Sequence, residues 1–410
     1  MKKCFFLFLL FVMVPSCSPV ENIEFDEITD NGISDGEIHI GSSLALDGYA
    51  GFLGRETLRG AMSYIKFINE QGGVYGRRIR VTAYDDGYDP PRCLANTQKL
   101  LIKDEVFALF CYVGTPTTVK ILPLVEQARV PLVGMFTGAN ALREPFNRYL
   151  FSVRASYYEE TGAAVRHMVR DLDMQRIAVF YQYDAYGFDG LTGAELALQE
   201  EGLAPVARGS YIRGTSNIED GVNRIVASRA EAVVMIGTAG PCAAFIGACR
   251  DRGFNPLFYA VSFVGAEELA RVLDDPDPPR VVMSQVVPPP EGPRTKELMA
   301  CAGEYVTLLA RYYPGEKPNY IGLEGYLNAR VLVAGLKRAG RDLTREGFLS
   351  ALESMGPLPL GGSSQISFGP RDHQGMDQVY FSTLVNGTFV LADDWSVSPD
   401  RGREGGGKTQ

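Results

Sequence analysis

The sequence predicts an α/β fold made of two doubly wound parallel-sheet lobes. Three observations predict it. Strand-like and helix-like segments alternate in two successive rounds, the pattern that places helices on both faces of parallel sheets. The 410 residues, 46% hydrophobic and 22% charged, can bury more than one core. The last third carries helices and a terminal hairpin and does not open a third round.

In chain order, residues 37–46 read as a strand. Residues 56–70 have helical spacing through Leu58, Ala61, Met62, Ile65 and Ile68, and Gln71-Gly72-Gly73 stops that helix. Then follow strand 78–84, helix 91–103, strand 106–112, helix 117–128, and short strands at 130–134 and 149–153. The second round reads helix 159–172, strand 176–181, helix 187–201, strand 204–211, helix 216–229, strand 231–236, helix 241–252 and strand 256–260. Strand 281–287 runs into Pro288-Pro289-Pro290, which breaks the chain. Helices are expected at about 294–312, 319–339 and 344–354. Strands 378–385 and 388–392 are joined by Asn386-Gly387, a strong two-residue hairpin signal. Residues 396–410 read as a flexible tail.

The first residues look like an export signal. Lys2 and Lys3 precede an unbroken apolar run from Cys4 to Val14. The run is too short to cross a bilayer comfortably and fits the apolar region of a secretory signal. It ends in Val14-Pro15-Ser16-Cys17, which resembles a bacterial lipobox. The resemblance implies removal of residues 1–16 and lipid on Cys17, with 17–35 as a polar tether. A plain signal peptide with an incidental cysteine is the alternative. Net charge is −9, with 40 basic and 49 acidic residues. Loss of Lys2 and Lys3 takes it to −11. Without a long Lys/Arg run, a nucleic-acid partner is disfavoured. His39, His167 and His373 are too scattered for a His-rich metal site. No cofactor is called for.

Removing Cys4 and Cys17 from the seven cysteines leaves Cys93, Cys111, Cys242, Cys249 and Cys301, an odd number. Cys242 and Cys249 lie roughly 10 Å apart along one helix, too far to bridge. Cys93 with Cys111 is a more plausible pair. Buried thiols acting as small hydrophobes are an equal alternative.

Ile40-Gly-Ser-Ser-Leu-Ala-Leu-Asp-Gly48, Gly54, Gly60-Ala61, Ile68-Asn-Glu-Gln-Gly-Gly-Val-Tyr-Gly-Arg77, Asp85-Asp86 and Asp89-Pro90 together resemble the leucine/isoleucine/valine-binding protein family. Val130-Pro-Leu-Val133, Arg176-Ile-Ala-Val179, Asp184-Ala-Tyr-Gly187 and Gly322-Leu-Glu-Gly-Tyr326 extend the likeness over about 36–392. These are extracytoplasmic solute receptors of ATP-binding-cassette (ABC) importers, with the type I periplasmic-binding-protein fold. The resemblance implies three crossovers between lobes. Residues 36–156 and 288–361 would form lobe 1, and 157–287 and 362–395 lobe 2. It also implies a small-molecule ligand, ABC permease subunits as partners, a periplasmic or cell-surface location, and no catalysis.

Ligands of open parallel sheets bind beyond the carboxyl ends of the strands. There, Thr115-Pro116-Thr117 suits a helix start, with Thr115 as cap and Pro116 in the first turn. Free amides and the helix dipole would attract a carboxylate. Phe136, Thr137 and Gly138 follow the next strand. Both loops match the family's carboxylate loops, and Tyr186 matches its cleft aromatic. Thr238 before Pro241 repeats the device in lobe 2. An ordinary helix start is the competing reading for each. Ser262 or Phe263 stands where the family has an acid facing the ligand ammonium. An unpaired ammonium in a closed cleft costs several kcal/mol. Either the ligand lacks an ammonium, or Asp184 or Glu324 pairs with it. Tyr49, Phe52, Phe136 and Phe263 would suit a flatter, apolar acid, or are core packing.

Other classes fit less well. Gly32-Ile33-Ser34-Asp35-Gly36 spells a hydrolase nucleophile elbow but precedes the first strand. Gly48, Gly51 and Gly54 do not have dinucleotide-loop spacing. A ligand-sensing receptor acting on a separate signalling partner remains the second reading.

Overall fold

The structure is a computed structural model and describes residues 31–273, 279–392 and 395. Cys17 and the 396–410 tail lie outside the described residues.

The first sheet has five parallel strands in the order β2-β1-β3-β4-β5. These are β1 (Glu37–Leu44), β2 (Arg78–Asp85), β3 (Ala108–Phe110), β4 (Leu132–Val133) and β5 (Leu150–Phe151). Between them run α1 (Gly51–Glu70), α2 (Pro90–Ile102) and α3 (Thr115–Ala128). The second round follows with α4 (Tyr157–Arg166), β6 (Ile177–Gln182), α5 (Ala185–Glu200), β7 (Arg208–Tyr211), α6 (Glu219–Ser228), β8 (Ala232–Ile236), α7 (Ala239–Asp251), β9 (Leu257–Ala260), α8 (Ala266–Leu273) and β10 (Val281–Gln285). Strands buried on both faces, such as Ala232–Ile236, read as continuous apolar runs.

After β10 the chain returns to the first sheet's side. There α9 (Thr295–Leu298), α10 (Ala302–Tyr312), α11 (Tyr320–Ala339) and α12 (Arg345–Glu353) lie, with α10 and α11 packed on α1. A small hairpin, β11 (Leu358–Gly361) with β12 (Ser364–Ile366), precedes β13 (Tyr380–Val385) and β14 (Thr388–Leu391). The last two complete the seven-stranded second sheet, ordered β14-β13-β10-β9-β8-β6-β7. Within it β13 and β14 are antiparallel. Asn386 and Gly387 turn the hairpin at φ 49° and 75°.

Several boundaries differ from expectation for local reasons. Helix α1 starts at Gly51, because Gly54 lies on the strand before it; a Cβ there would sit 1.8 Å from the Ala45 oxygen. The expected 294–312 helix is broken, and Cys301 N instead bonds Leu360 O of the unanticipated β11 at 2.8 Å. Residues 31–35 are not tether. Gly32 O accepts from His39 N at 2.7 Å and Ile33 bridges Ile38. Ser34 bonds its own turn at Glu37 O and is followed by a strand, so it is no nucleophile elbow.

The disulfide expectation is corrected. Cys93 and Cys111 are both free and buried. They belong to different layers of the core, Cys93 with Leu44, Leu100 and Leu109, Cys111 with Ile40, Phe110 and Val133. Asn328 Nδ2 lies 3.6 Å from Cys111 Sγ.

Candidate functional site

The loops at the carboxyl ends of both sheets meet face to face. Gly114, at φ 96°, is the residue before α3, so Thr115 is the first helical residue rather than the cap. A Cβ on Gly114 would lie 2.1 Å from the Tyr88 ring, so only glycine allows this approach. Freed from capping, the Thr115 hydroxyl meets that of Thr137 at 2.7 Å. Gly138 admits Tyr157, whose N–H donates to Gly138 O at 2.7 Å.

From the second sheet, the turn Ser262–Val264 carries Phe263 into the seam. Its ring centroid lies 5.7 Å from Phe136, 5.9 Å from Tyr88 and 4.7 Å from Tyr186. Tyr157 is 5.2 Å from Tyr186. All five rings are buried. The lobes are closed on one another here. Asn140 N donates to Asp189, and Gln182 Nε2 reaches the Tyr88 hydroxyl.

Beside this aromatic cluster lies an ionic network in which Glu324 and Ser262 were expected from the sequence and Arg154 and Glu160 were not. Arg154, between β5 and α4, is 2% exposed. Its Nη2 lies 3.0 Å from Glu160 Oε1 and bonds the Ser262 hydroxyl; its Nη1 lies 3.3 Å from Glu324 Oε2. Glu160 also accepts from Ser262 N at 2.8 Å and from the Ser284 hydroxyl at 2.5 Å. The acid absent at position 262 is thus supplied from α4, but it is spent on Arg154 and two serines. Burial works against the Arg154 charge, yet Glu324 and Glu160 outweigh it and raise its pKa. Burial pushes the Glu324 carboxyl up to about 7 despite Arg154. No motif marks Arg154 or Glu160. Only their position beside a crossover and at a helix start hints at them.

The unfilled groups in this seam share one character. Arg154 Nε and the buried Tyr157 hydroxyl make no hydrogen bond, whereas Arg154 Nη1 is ion-paired with Glu324. The Thr115–Thr137 pair shares one bond between two O–H groups, which leaves one proton to give. Arg154 Nε, the Tyr157 hydroxyl and one threonine proton are donors left for an added acceptor. The guanidinium carbon also lies 5.0 Å from the Phe136 ring. Such a set fits a carboxylate on an apolar body.

Other expected residues are placed elsewhere. Thr117 bonds the Val113 and Gly114 carbonyls, closing the first turn of α3. The Tyr186 hydroxyl donates to Gly237 O at 3.0 Å, so only its ring serves the seam. Thr238 N donates to the Tyr211 hydroxyl within the second lobe. Asp184 caps α5 through Tyr186 N and accepts from Gln182, which takes it from any ammonium. Phe52 lines a separate interlobe cavity of about 1330 Å³. Among the described residues no cluster could hold a metal ion.

A family model described as periplasmic binding protein matches residues 37–388. Among solved structures, a possible leucine/isoleucine/valine-binding protein from Rhodopirellula baltica is similar at 31% identity and TM-score 0.81, over 90% of this chain and 99% of that one. A substrate-binding periplasmic protein from Ralstonia solanacearum is similar at 28% identity and TM-score 0.79, over 87% and 100%. An amino acid binding protein from Pseudomonas aeruginosa is 24% identical over 224 residues, covering 54% of this chain and 60% of its own length. The chain thus spans less than two thirds of that curated relative.

Proposed function

Because the chain belongs to the periplasmic binding protein family, we propose that it is the extracytoplasmic solute receptor of an ABC importer, without catalysis of its own. It closes two lobes on a small carboxylate-bearing ligand and presents it to permease subunits. The observation that carries the ligand class is the set of acceptor-less donors on Arg154, Tyr157 and the Thr115–Thr137 pair, walled by Phe136, Tyr186 and Phe263. Hinge separation of the lobes opens the seam, and ligand binding favours the closed form by mass action.

A non-amino organic or aromatic acid fits better than an α-amino acid. An ammonium at Ser262 would face the Arg154 guanidinium, with both nearby carboxylates already engaged by it. A thermal-shift screen of aliphatic and aromatic acids against their amides tests this. At 100 times the dissociation constant an acid stabilises the fold by about 2.7 kcal/mol. Amides that stabilise the protein as well as the acids would sink the anion site.

The lipobox-like segment ending in Cys17 supports a membrane anchor outside the described residues. Cys17→Ala is expected to release the protein from membranes or block its processing. Unchanged membrane partitioning of that variant contradicts the anchor.

A further inference from the structure

The interlobe cavity that holds Phe52 has its own chemistry. Phe52, Glu56, Asn319 and Tyr320 line it from the first lobe, and Glu267 and Phe389 from the second. It begins where the aromatic seam ends. The turn bearing Phe263 closes at Gly265, and a Cβ there would lie 3.5 Å from the Phe52 ring. We propose that this cavity receives an organic cation, an ammonium or guanidinium group, held between Glu267 and the Tyr320 hydroxyl.

Two unsatisfied groups point to it. Glu267 Oε1 accepts from Tyr320 N at 3.1 Å, but Oε2 is buried with no hydrogen-bond partner. The Tyr320 hydroxyl is likewise buried and unpartnered, in a residue 4% exposed. Ser382 beside it donates to Met283 O and accepts from Gln285 Nε2, which leaves one lone pair of its oxygen facing the Tyr320 hydroxyl. A buried carboxylate with an empty oxygen is costly unless a charge partner is supplied. Among the described residues no ion pair supplies one to Glu267. The neighbouring cations are engaged elsewhere, Arg59 by Glu56 and Glu316, and Arg271 by Glu268. Lys317 is exposed at the rim. Burial, aided by Glu56, raises the Glu267 carboxyl to about 7, so near neutral pH an arriving cation draws it into the ionised form. Glu267 is on α8 and Tyr320 on α11, so the pair spans the seam between lobes. Separating the lobes uncovers both groups, and closing traps what they hold.

The inference rests on the two-lobe reading but fails separately from it. The probes are n-butylammonium and butyrate, titrated into wild type, Glu267→Gln, Tyr320→Phe and Thr115→Val. Butylammonium is expected to bind wild type and Thr115→Val alike. It should lose at least about tenfold in affinity in Glu267→Gln and a smaller factor in Tyr320→Phe, which removes only a hydroxyl. Butyrate should show the converse, weakened by Thr115→Val alone. No saturable butylammonium binding to wild type, or wild-type affinity in both cavity variants, overturns the cation site while leaving the butyrate result to judge the anion site. 4-Aminobutyrate separates the two sources of the cation. Binding tighter than either fragment makes it the far end of one ligand; additive, independent binding makes it a second molecule.

Discussion

Thr115 loses its capping role because Gly114 takes the turn, and that is what turns its hydroxyl toward Thr137. Removing a hydrogen bond to a charged group costs roughly 1.5–3 kcal/mol. Thr115→Val should therefore weaken acid binding about tenfold or more, measured by titration calorimetry; unchanged affinity contradicts its contact with the anion. Buried acids make a second prediction. Burial raises Asp86 to about 6 and Glu267 to about 7, against ordinary values of 3.8 and 4.5. Folding therefore takes up protons, so their contribution is complete below the ordinary values and lost as pH rises through 6 to 7. The melting temperature should fall between pH 5 and pH 8, and fall less in Glu267→Gln. An equal slope in that variant would refute the assignment. The seam positions of Thr115, Phe136, Thr137, Tyr186 and Phe263 were legible because each follows a strand's carboxyl end. Arg154, Tyr157 and Glu160 were not, because their role arises only when a crossover brings both lobes together.

Helix α1 packs on α11 through glycines. A Cβ on Gly60 would lie 1.8 Å from the Gly322 oxygen, and one on Gly325 2.0 Å from the Thr57 oxygen. Backbone cannot step aside as a flexible side chain can. Gly60→Ala should therefore lose about 1–3 kcal/mol or more to overpacking, which outweighs the helix propensity gained. Gly247→Ala, exposed on α7 with open space at its Cβ, should instead gain about 0.5–1 kcal/mol. Thermal unfolding of both variants checks the pair; a neutral Gly60→Ala contradicts the close approach. Helices and buried strands were legible from their periods and apolar runs. Helix α8 and the β11–β12 hairpin were not. The hairpin depends on Cys301 N reaching Leu360 O, a contact no local pattern encodes.

At the scale of the whole molecule, alternation of strands and helices gave the parallel sheets, and α10 and α11 from the last third of the chain pack on α1 from the first. The closed seam is a property of neither lobe alone. Arg154 faces Glu324 on one side and Glu160 with Ser262 on the other; burial raises Glu324 to about 7, and with that carboxyl protonated Glu160 alone matches the guanidinium before a ligand enters. An added carboxylate gains the empty donors, whereas an added ammonium meets a guanidinium. Charge-assisted bonds are about twice as strong as neutral ones, and a closed cleft strengthens them further. The most direct test is titration calorimetry of the purified protein with leucine and with 4-methyl-2-oxopentanoate, which share a carboxylate and an alkyl body and differ at the amino group. The oxo acid is predicted to bind at least about tenfold more tightly. Sub-micromolar leucine binding, tighter than the oxo acid, would contradict the account and return Glu160 or Glu324 to the ammonium.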